Sequence, residues 1–378
     1  MMARGNQMKK PQDNRTAAST GALSATWLTL VSMSWAPATF AQQDQGNTNV
    51  TTQHKLGLLG RELRKEVMVP APREAVFRMW TTSDGIPKFF FPKADIDLDI
   101  GGRYDLYDPN FEPDMHGRRG AQGCKVLSFI PHEMLSFDWT FPSAVMSLRS
   151  LQAKTIVVLR FDEAEVGKTR VRFVQLGWQE GDAWDQGYQY FDKAWSTVLT
   201  RLAEYFVKNP VEVSARKVVN KQDMRTWPDG HVTVRTGESP VKYQEFEMTV
   251  PVSVGKVWNA LATSEGLIRL GGKDSEVELK AGGKYAFWPG APNQVLSYVP
   301  QEMLSTSGSA PPEFPNVRKS GTWSAYFFEA IDAHTTRIRL PVHGWKPGEE
   351  EWDKAYDYFL KNNAVFLNQV YEVLVSSK

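Results

Sequence analysis

The chain contains few residues that could crosslink it or hold a metal ion. Cys124 is the only cysteine among 378 residues, so no intramolecular disulfide can form and stability has to come from packing. The six histidines are not spaced as metal ligands, and no metal site is expected. The sequence also lacks a Gly-x-Ser-x-Gly elbow, a phosphate-binding loop and a dinucleotide fingerprint. We therefore predict neither a catalytic set nor a cofactor.

An excess of charge of either sign is also absent. The 44 Lys and Arg residues are balanced by 43 Asp and Glu residues. A nucleic-acid-binding domain needs a basic face, so we expect no nucleic-acid partner. The balance gives no support either for attraction of a whole domain to an anionic membrane.

The first 41 residues have the pattern of an export signal. Lys9 and Lys10 precede a modestly apolar stretch over residues 21–35, and small residues follow at Thr39 and Ala41. We expect cleavage near Ala41-Gln42, a periplasmic mature protein, and no integral membrane span in the mature chain. A disordered cytoplasmic tail is the alternative. Residues 42–58 begin polar and rich in Gln and Asn, and are predicted to form a flexible leader.

Much of the remaining sequence occurs twice. Val69-Pro70 recurs 181 residues later as Val250-Pro251, and no gap separates the two copies up to Tyr104 and Tyr285. Pro131-His132-Glu133-Met134-Leu135-Ser136 recurs as Pro300-Gln301-Glu302-Met303-Leu304-Ser305. A repeat of this length is a duplicated domain. We predict copy one over residues 59–208, a linker over residues 209–240 and copy two over residues 241–378.

Each copy shows the same order of predicted elements. A strand leads into a short helix, several short strands follow, and a long helix with a wide apolar stripe closes the copy. In copy one, this stripe is formed by Trp184, Tyr188, Phe191, Trp195, Val198, Leu202 and Tyr205. A curved antiparallel sheet is the only other large element that could bury it. The predicted fold class is therefore α+β.

The residues shared by the copies resemble a known superfamily. They are Val69-Pro70-Ala71-Pro72, Gly101-Gly102-Arg103-Tyr104 and Gly177-Trp178 in copy one, and Val250-Pro251, Gly282-Gly283-Lys284-Tyr285 and Gly344-Trp345 in copy two. Each copy resembles the SRPBCC (START-like) superfamily, in the branch similar to the C-terminal domain of the activator of Hsp90 ATPase. The resemblance implies two helix-grip domains, each a curved antiparallel sheet wrapped on a long C-terminal helix. It also implies a cavity between sheet and helix, which in this superfamily commonly holds lipids, sterols or polyketide-like molecules.

The differences between the copies indicate where a ligand could bind. The strand residues Leu135, Phe137, Trp139 and Phe141 are matched by Leu304, Thr306, Gly308 and Ala310. Other matched changes are Val157 to Ser324, Leu159 to Tyr326 and Trp195 to Asn363. Because most of these changes remove volume or add polarity, we predict the roomier and more polar cavity in copy two. The opposing interpretation is that Pro311, Pro312 and Pro315 distort the strand, or that neighbours collapse into the space.

These differences lead to the candidate ligand-binding residues. They are Thr306, Ser324, Tyr326, Tyr356, Phe359 and Asn363 in copy two, with Trp139, Tyr188 and Trp195 in copy one. Core packing is the alternative role for each aromatic residue. The predicted function is non-catalytic binding of a small, hydrophobic molecule by an exported protein. A protein-interaction or co-chaperone-like platform is the first alternative, although an exported chain would not meet cytosolic Hsp90. A cyclase or hydrolase that uses the same cavity is the second.

Overall fold

The architecture of both copies is seen in the computed structural model. It describes residues 50–57, 60–212, 223–226, 230–238, 241–287 and 293–376. The predicted signal peptide and the start of the predicted leader lie outside the described residues. Every strand pairing is antiparallel, as expected for a chain without β-α-β crossovers.

Copy one consists of eight strands and three α-helices. The strands are β1 Thr51–Gly57, β2 Gly60–Val69, β3 Lys93–Ile96, β4 Tyr104–Tyr107, β5 Val126–Ile130, β6 Met134–Thr140, β7 Lys154–Glu165 and β8 Lys168–Leu176. The helices are α1 Arg73–Thr81, α2 Met146–Ser150 and α3 Asp182–Lys208. Six strands form one sheet in the order β1-β2-β8-β7-β6-β5, and β3 pairs separately with β4. The closing helix α3 crosses one face of the larger sheet.

Copy two repeats this plan. The strands are β9 Asp223–Thr226, β10 Thr233–Gly237, β11 Tyr243–Val250, β12 Glu276–Val277, β13 Lys284–Ala286, β14 Asn293–Val299, β15 Met303–Gly308, β16 Thr322–Asp332 and β17 Thr335–His343. The helices are α4 Val254–Leu261, α5 Ser264–Arg269, α6 Pro315–Ser320 and α7 Glu350–Ser376. These strands form one sheet in the order β12-β13-β14-β15-β16-β17-β11-β10-β9. The predicted α+β helix-grip fold is confirmed.

The residues shared by the copies have equivalent structural roles. Gly101 and Gly282 occupy the same turn with φ of 78° and 75°, a region that glycine adopts without steric cost. The hydroxyls of Tyr104 and Tyr285 donate to the Trp80 and Leu261 carbonyls at the ends of α1 and α4, each over 2.9 Å. The repeated motifs therefore specify the backbone path of the fold.

Two of the predicted segment assignments need correction. The leader was predicted to be flexible, but Thr51–Gly57 forms β1, which pairs with β2 along its length. The predicted linker contains β9 and β10, and β10 pairs with β11. In both copies the added strand covers the edge that β2 or β11 would otherwise expose. Polar side chains suit such edge positions, which is why composition alone suggested a leader and a linker.

Each sheet has an inner face, which packs against the closing helix, and an outer face. The inner faces contribute to two separate hydrophobic cores, one in each copy. The outer faces pack against each other and bury a third cluster, which we call the seam. It consists of Ile130, Met134, Val158, Val174 and Leu176 from copy one, and Val299, Met303, Ala325 and Phe327 from copy two. The copies are thus joined through their sheets, with both closing helices on the outside.

The seam has the contact pattern of a two-fold symmetric dimer. Ser128 and Ser136 correspond in sequence to Ser297 and Ser305. The Ser128 hydroxyl lies 2.5 Å from that of Ser305, and the Ser136 hydroxyl donates to that of Ser297 over 2.8 Å. Each contact is the counterpart of the other with the copies exchanged, as in an isologous interface. All four serines are fully buried, so their pairing satisfies groups that would otherwise be costly to bury.

Candidate functional site

The candidate site lies between the inner face of the copy-two sheet and α7. Four adjacent strands of that face contribute one residue each to a row that runs across the sheet, here called the inner row: Thr306, Ser324, Val342 and Gln244. The matched row of copy one is Phe137, Val157, Gln175 and Leu63. Copy two therefore has three polar residues in a row where copy one has a single polar residue.

In copy one, this space is filled by four contacting aromatic side chains, here called the aromatic quartet: Trp80, Phe90, Trp139 and Trp195. The Trp195 ring lies 5.5 Å from Phe90, 5.3 Å from Trp139 and 6.5 Å from Trp80, measured between centroids. Trp195 is 1% exposed. Its indole N–H donates to the Gln175 Oε1 over 2.9 Å. The quartet thus fills the interior of copy one and pairs Gln175, although the Trp80 indole N–H has no partner among the described residues.

Copy two has a smaller residue at every position of the quartet. The counterparts are Leu261, Gly271, Gly308 and Asn363. Because the quartet residues contact one another, the four replacements fall in one region of the copy-two interior. Phe366 fills part of it, since it replaces Val198 and packs against Phe287 at 5.0 Å between ring centroids. The sequence comparison did not single out Gly271 as the counterpart of Phe90, although both residues lie in the ungapped part of the repeat.

One other large-to-small change is compensated locally. Phe141 of copy one presses against Gly187 on α3, where a Cβ atom would lie 2.6 Å from the phenyl ring. The matched pair in copy two is Ala310 and Ala355. The smaller residue on the strand is thus partly compensated by a larger residue on the helix. Ala310 is 2% exposed and belongs to the copy-two core. This end of the interior is therefore packed in both copies.

Solvent exposure separates the two interiors more directly. Val157 and Trp195 are 0% and 1% exposed, whereas their counterparts Ser324 and Asn363 are partly exposed. Phe191, 4% exposed, is likewise matched by the partly exposed Phe359. The matched positions are therefore closed in copy one and partly open to solvent in copy two.

The polar groups of the inner row differ in how well they are paired. The Thr306 and Ser324 hydroxyls lie 3.3 Å apart, a long hydrogen bond that leaves both able to exchange partners. Gln244 is fully buried, and its Nε2 donates to the Tyr356 carbonyl over 2.6 Å. Its Oε1 has no partner among the described residues. Sequence comparison missed Gln244, since its signal, a glutamine in place of Leu63, lay outside the strand and helix being compared.

The two tyrosines of the candidate set have different surroundings. The Tyr356 hydroxyl donates to the Tyr243 carbonyl over 2.9 Å, and the Tyr188 hydroxyl of copy one donates to the Glu62 carbonyl over 3.0 Å. These matched contacts attach each closing helix to its sheet and use the hydroxyl groups structurally. Tyr326 is 7% exposed, and burial raises the pKa of its phenol. It remains protonated at neutral pH and acts as a neutral group.

The structure therefore divides the nine candidate residues. Thr306 and Ser324 contact each other in the inner row, and Phe359 and Asn363 lie one turn apart on α7. Tyr326 is buried on the strand that carries Ser324. Trp139 and Trp195 belong to the packed quartet, and Tyr188 packs on Trp178 with 5.0 Å between ring centroids. These three aromatic residues of copy one are core residues in this structure.

The chemistry available in copy two is that of neutral hydroxyl and amide groups among aromatic rings. Such groups hold a ligand by hydrogen bonds and apolar contact. No cluster of His, Cys, Asp and Glu suited to a metal ion occurs in the described part of the chain. None of the described helices is long and apolar enough to cross a membrane.

Comparison with known families agrees with this geometry. Residues 70–207, nearly all of copy one, match the family described as activator of Hsp90 ATPase homolog 1-like protein. Over these residues, copy one is similar to this family. The structure gives copy two the same plan of sheet and closing helix, with equivalent motifs and contacts. A family domain of this kind is compatible with ligand binding or with a co-chaperone-like role.

Several solved structures match parts of this chain at low sequence identity. Protein MLL2253 from Mesorhizobium loti is 18% identical, with 40% of this chain and 100% of that chain covered and a TM-score of 0.33. The Aha1 dimer from Colwellia psychrerythraea is 18% identical, with 38% and 93% covered and a TM-score of 0.29. DynU16, from the dynemicin biosynthetic locus, is 14% identical, with 83% and 98% covered and a TM-score of 0.29. The search of curated proteins found no match.

Proposed function

We propose that this protein binds a small, largely apolar molecule between the sheet and α7 of copy two, without catalysis, and that copy one is a scaffold. One observation carries the proposal: Ser324 and Asn363 are partly exposed at positions where copy one buries Val157 and Trp195. The aromatic quartet fills the equivalent space in copy one. A ligand would restore in copy two the packing that the quartet provides in copy one.

The side chains around this space favour an uncharged ligand. Phe359 packs on Trp345 with 5.8 Å between ring centroids, and both lie beside the partly exposed polar residues. Ser324, Thr306 and Asn363 can donate or accept hydrogen bonds but carry no charge. An ionised group placed here would lose hydration without a counter-charge. We therefore expect an apolar molecule with one or two carbonyl, hydroxyl or amide groups.

The proposal is tested by filling the space with the residues of copy one. The double variant Ser324→Val/Asn363→Trp should lower the affinity for N-phenyl-1-naphthylamine, an uncharged fluorescent probe, at least about tenfold, because the added volume occupies its site. Val365→Trp is the matched control, since Val365 is an exposed residue of the same helix. Native mass spectrometry of the unmodified protein from its own host should show a retained small molecule.

The result that contradicts the proposal is equally specific. If the double variant binds the probe as tightly as Val365→Trp does, the probe does not occupy copy two. If the variant Trp195→Ala, which opens copy one, is needed before any binding is measured, the natural protein has no accessible cavity. Either outcome would favour a function that does not depend on a small ligand.

The proposed setting for this binding is outside the cytoplasm. The support is the positive start at Lys9 and Lys10, the apolar stretch over residues 21–35 and the small residues before Gln42. N-terminal sequencing of the protein recovered from periplasmic extract should begin at or near Gln42. Recovery of the intact N-terminus from the cytoplasmic fraction would contradict export and would reopen a cytosolic co-chaperone-like role.

A second candidate function, a protein-interaction platform, is favoured by an apolar patch on copy one. Met115, Met146 and Leu151 are 74%, 50% and 78% exposed. Their segments lie together, because the His116 ring is 3.3 Å from the Ser150 carbonyl. A photocrosslinker at Leu151 should give a discrete product with a protein partner, whereas one at the exposed Val166 should not. Equal labelling from both positions would count against the platform.

A further inference from the structure

A second concave site lies outside both interiors, along the seam. It is a cleft of about 630 Å³, which we call the seam cleft. Its walls come from the hairpin of β7 and β8 in copy one and the hairpin of β16 and β17 in copy two. A volume of this size matches that of small-molecule sites in proteins. The seam cleft is separate from the cavity proposed above, because it lies on the opposite face of the copy-two sheet.

Arginine is the main charged residue of the seam cleft. Its lining contains Arg160, Arg170, Arg172, Arg337 and Arg339, against the three carboxylates Asp162, Glu302 and Glu329. Four of these arginines come from a motif that the copies share. It reads Thr-Arg-Val-Arg at residues 169–172 and Thr-Arg-Ile-Arg at residues 336–339. The seam brings the two motifs to one cleft, although the whole chain is nearly neutral. Arg339 is paired with Glu133 and Glu245, and Arg172 with Asp162, so the fold gathers these arginines together with carboxylates.

Arg160 lies at the base of this arrangement and is incompletely paired. Its guanidinium lies 3.9 Å from the centre of the Phe327 ring, and its Nε has no partner among the described residues. Its contact with Asp162 is long, at 3.6 Å. Burial lowers the pKa of Arg160 to about 10, because the attraction of Asp162 does not offset it. A bound anion would favour the charged guanidinium.

The more exposed arginines, Arg170 and Arg337, line the cleft and use only part of their donors in ion pairs. The ion pair of Arg337 with Glu329 uses its Nη1 at 2.9 Å, and that of Arg170 with Glu66 uses its Nε at 3.4 Å. A guanidinium has five N–H donors, and its flat edge matches two oxygens of a phosphate or carboxylate. Rim pairs of this exposure contribute little and are readily exchanged for a multivalent anion.

We propose that the seam cleft binds a small molecule bearing phosphate or carboxylate groups, held between the Arg-x-Arg motifs of the two copies. This inference goes beyond the apolar ligand proposed for copy two and does not depend on it. The seam cleft exists only where the two copies meet, so the duplication itself creates the site. Arg170 and Arg337 are the rim contacts, and Arg160 lies beneath them.

Isothermal titration with pyrophosphate, and separately with citrate, at constant ionic strength tests the proposal. We expect one site per chain for at least one of these probes. The variant Arg170→Gln/Arg337→Gln should weaken that binding at least about tenfold, since two charge-assisted contacts are removed. The control Arg78→Gln/Arg103→Gln removes the same charge from two other exposed, acid-paired arginines and should leave it unchanged.

The two probes distinguish the anion that the seam cleft prefers, and binding of either one supports the site. Absence of stoichiometric binding by both probes would overturn the proposal. So would equal weakening in the Arg170→Gln/Arg337→Gln variant and its control, because binding would then follow net charge. Circular dichroism and urea unfolding establish that the variants remain folded.

Discussion

The two copies share a fold and a seam but differ in their interiors. At the seam, the serine pairs Ser128–Ser305 and Ser136–Ser297 are equivalent, and both copies contribute alike. In the interior, each residue of the aromatic quartet of copy one is matched by a smaller residue in copy two. Symmetry is therefore kept at the serine pairs of the seam and lost in the interiors.

This contrast separates the requirements of folding from those of function. A mutation at the seam must fit two surfaces at once, so matched residues stay complementary. The interior of one copy can change without affecting the other, provided that the remaining core holds the sheet to the helix. In copy one, Gln175 is paired by both Trp195 and Thr155, whereas the Oε1 of Gln244 in copy two has no partner among the described residues. The interior of copy two is where a ligand would supply missing contacts.

Trp195→Asn, which places the copy-two residue in copy one, should produce the largest effect. It removes a side chain that packs on Phe90, Trp139 and Phe173, and leaves the Gln175 Oε1 unpaired in the core. We expect a loss of about 4 kcal/mol in unfolding free energy, as for other buried tryptophans that are truncated. Urea denaturation followed by circular dichroism measures it. A decrease in unfolding free energy of less than about 1 kcal/mol would show that the quartet is not tightly packed.

The repeat and the helix-grip fold could be predicted because they depend on local signals. Gly101 and Gly282 mark the turns, and the long apolar stripe marks α3. The strand positions within β6 also allowed the loss at Thr306 to be recognised. Gln244 and Gly271 were missed because they reach the site from other elements, and only the sheet register and packing bring them there. The seam was not predictable, since nothing in a single strand shows which face will meet another domain.

His343 provides a test of the seam through pH. It replaces Leu176 of copy one, and burial lowers the pKa of its imidazole to about 4. An unfolded histidine titrates near pH 6.5, so between pH 6.5 and 4 the unfolded state binds more protons and stability falls as the pH falls. His343→Leu should remove about 2–3 kcal/mol of the stability difference between pH 7.5 and 4.5.

Unfolding curves at the two pH values, for the natural protein and His343→Leu, measure this difference. Glu245 favours the charged imidazole but does not offset the burial. Other groups that titrate in this range contribute equally to both proteins and cancel. An unchanged pH dependence in His343→Leu would show that this histidine is hydrated or freely protonated in the folded state, and that the seam near β17 is looser than described.

Substitutions at Gly187 test whether the strand residue and the helix residue at this position are complementary in size. Gly187→Ala should cost about 2 kcal/mol, because its Cβ would meet the Phe141 ring at 2.6 Å. In the background Phe141→Ala, which recreates the copy-two pair, the same substitution should be neutral or stabilising, since alanine also favours the helix. A double-mutant cycle from thermal or urea unfolding gives the coupling. Additive effects would show that the ring can move away and that the pair is not complementary.

Asn363→Trp, the reverse of the first substitution, should change the unfolding free energy least. The sign of that change shows whether the space in copy two is open. If the space beside Ser324 is open, the indole enters it, removes a partly buried amide and leaves the unfolding free energy within about 1 kcal/mol of the natural value or above it. If neighbours have instead collapsed into the space, the same residue overpacks a closed core and costs about 1–3 kcal/mol. Val365→Trp on the exposed face gives the baseline for adding a tryptophan to α7. Urea unfolding of ligand-free protein distinguishes these cases, because a retained ligand would stabilise only the natural protein and would mimic the overpacked result.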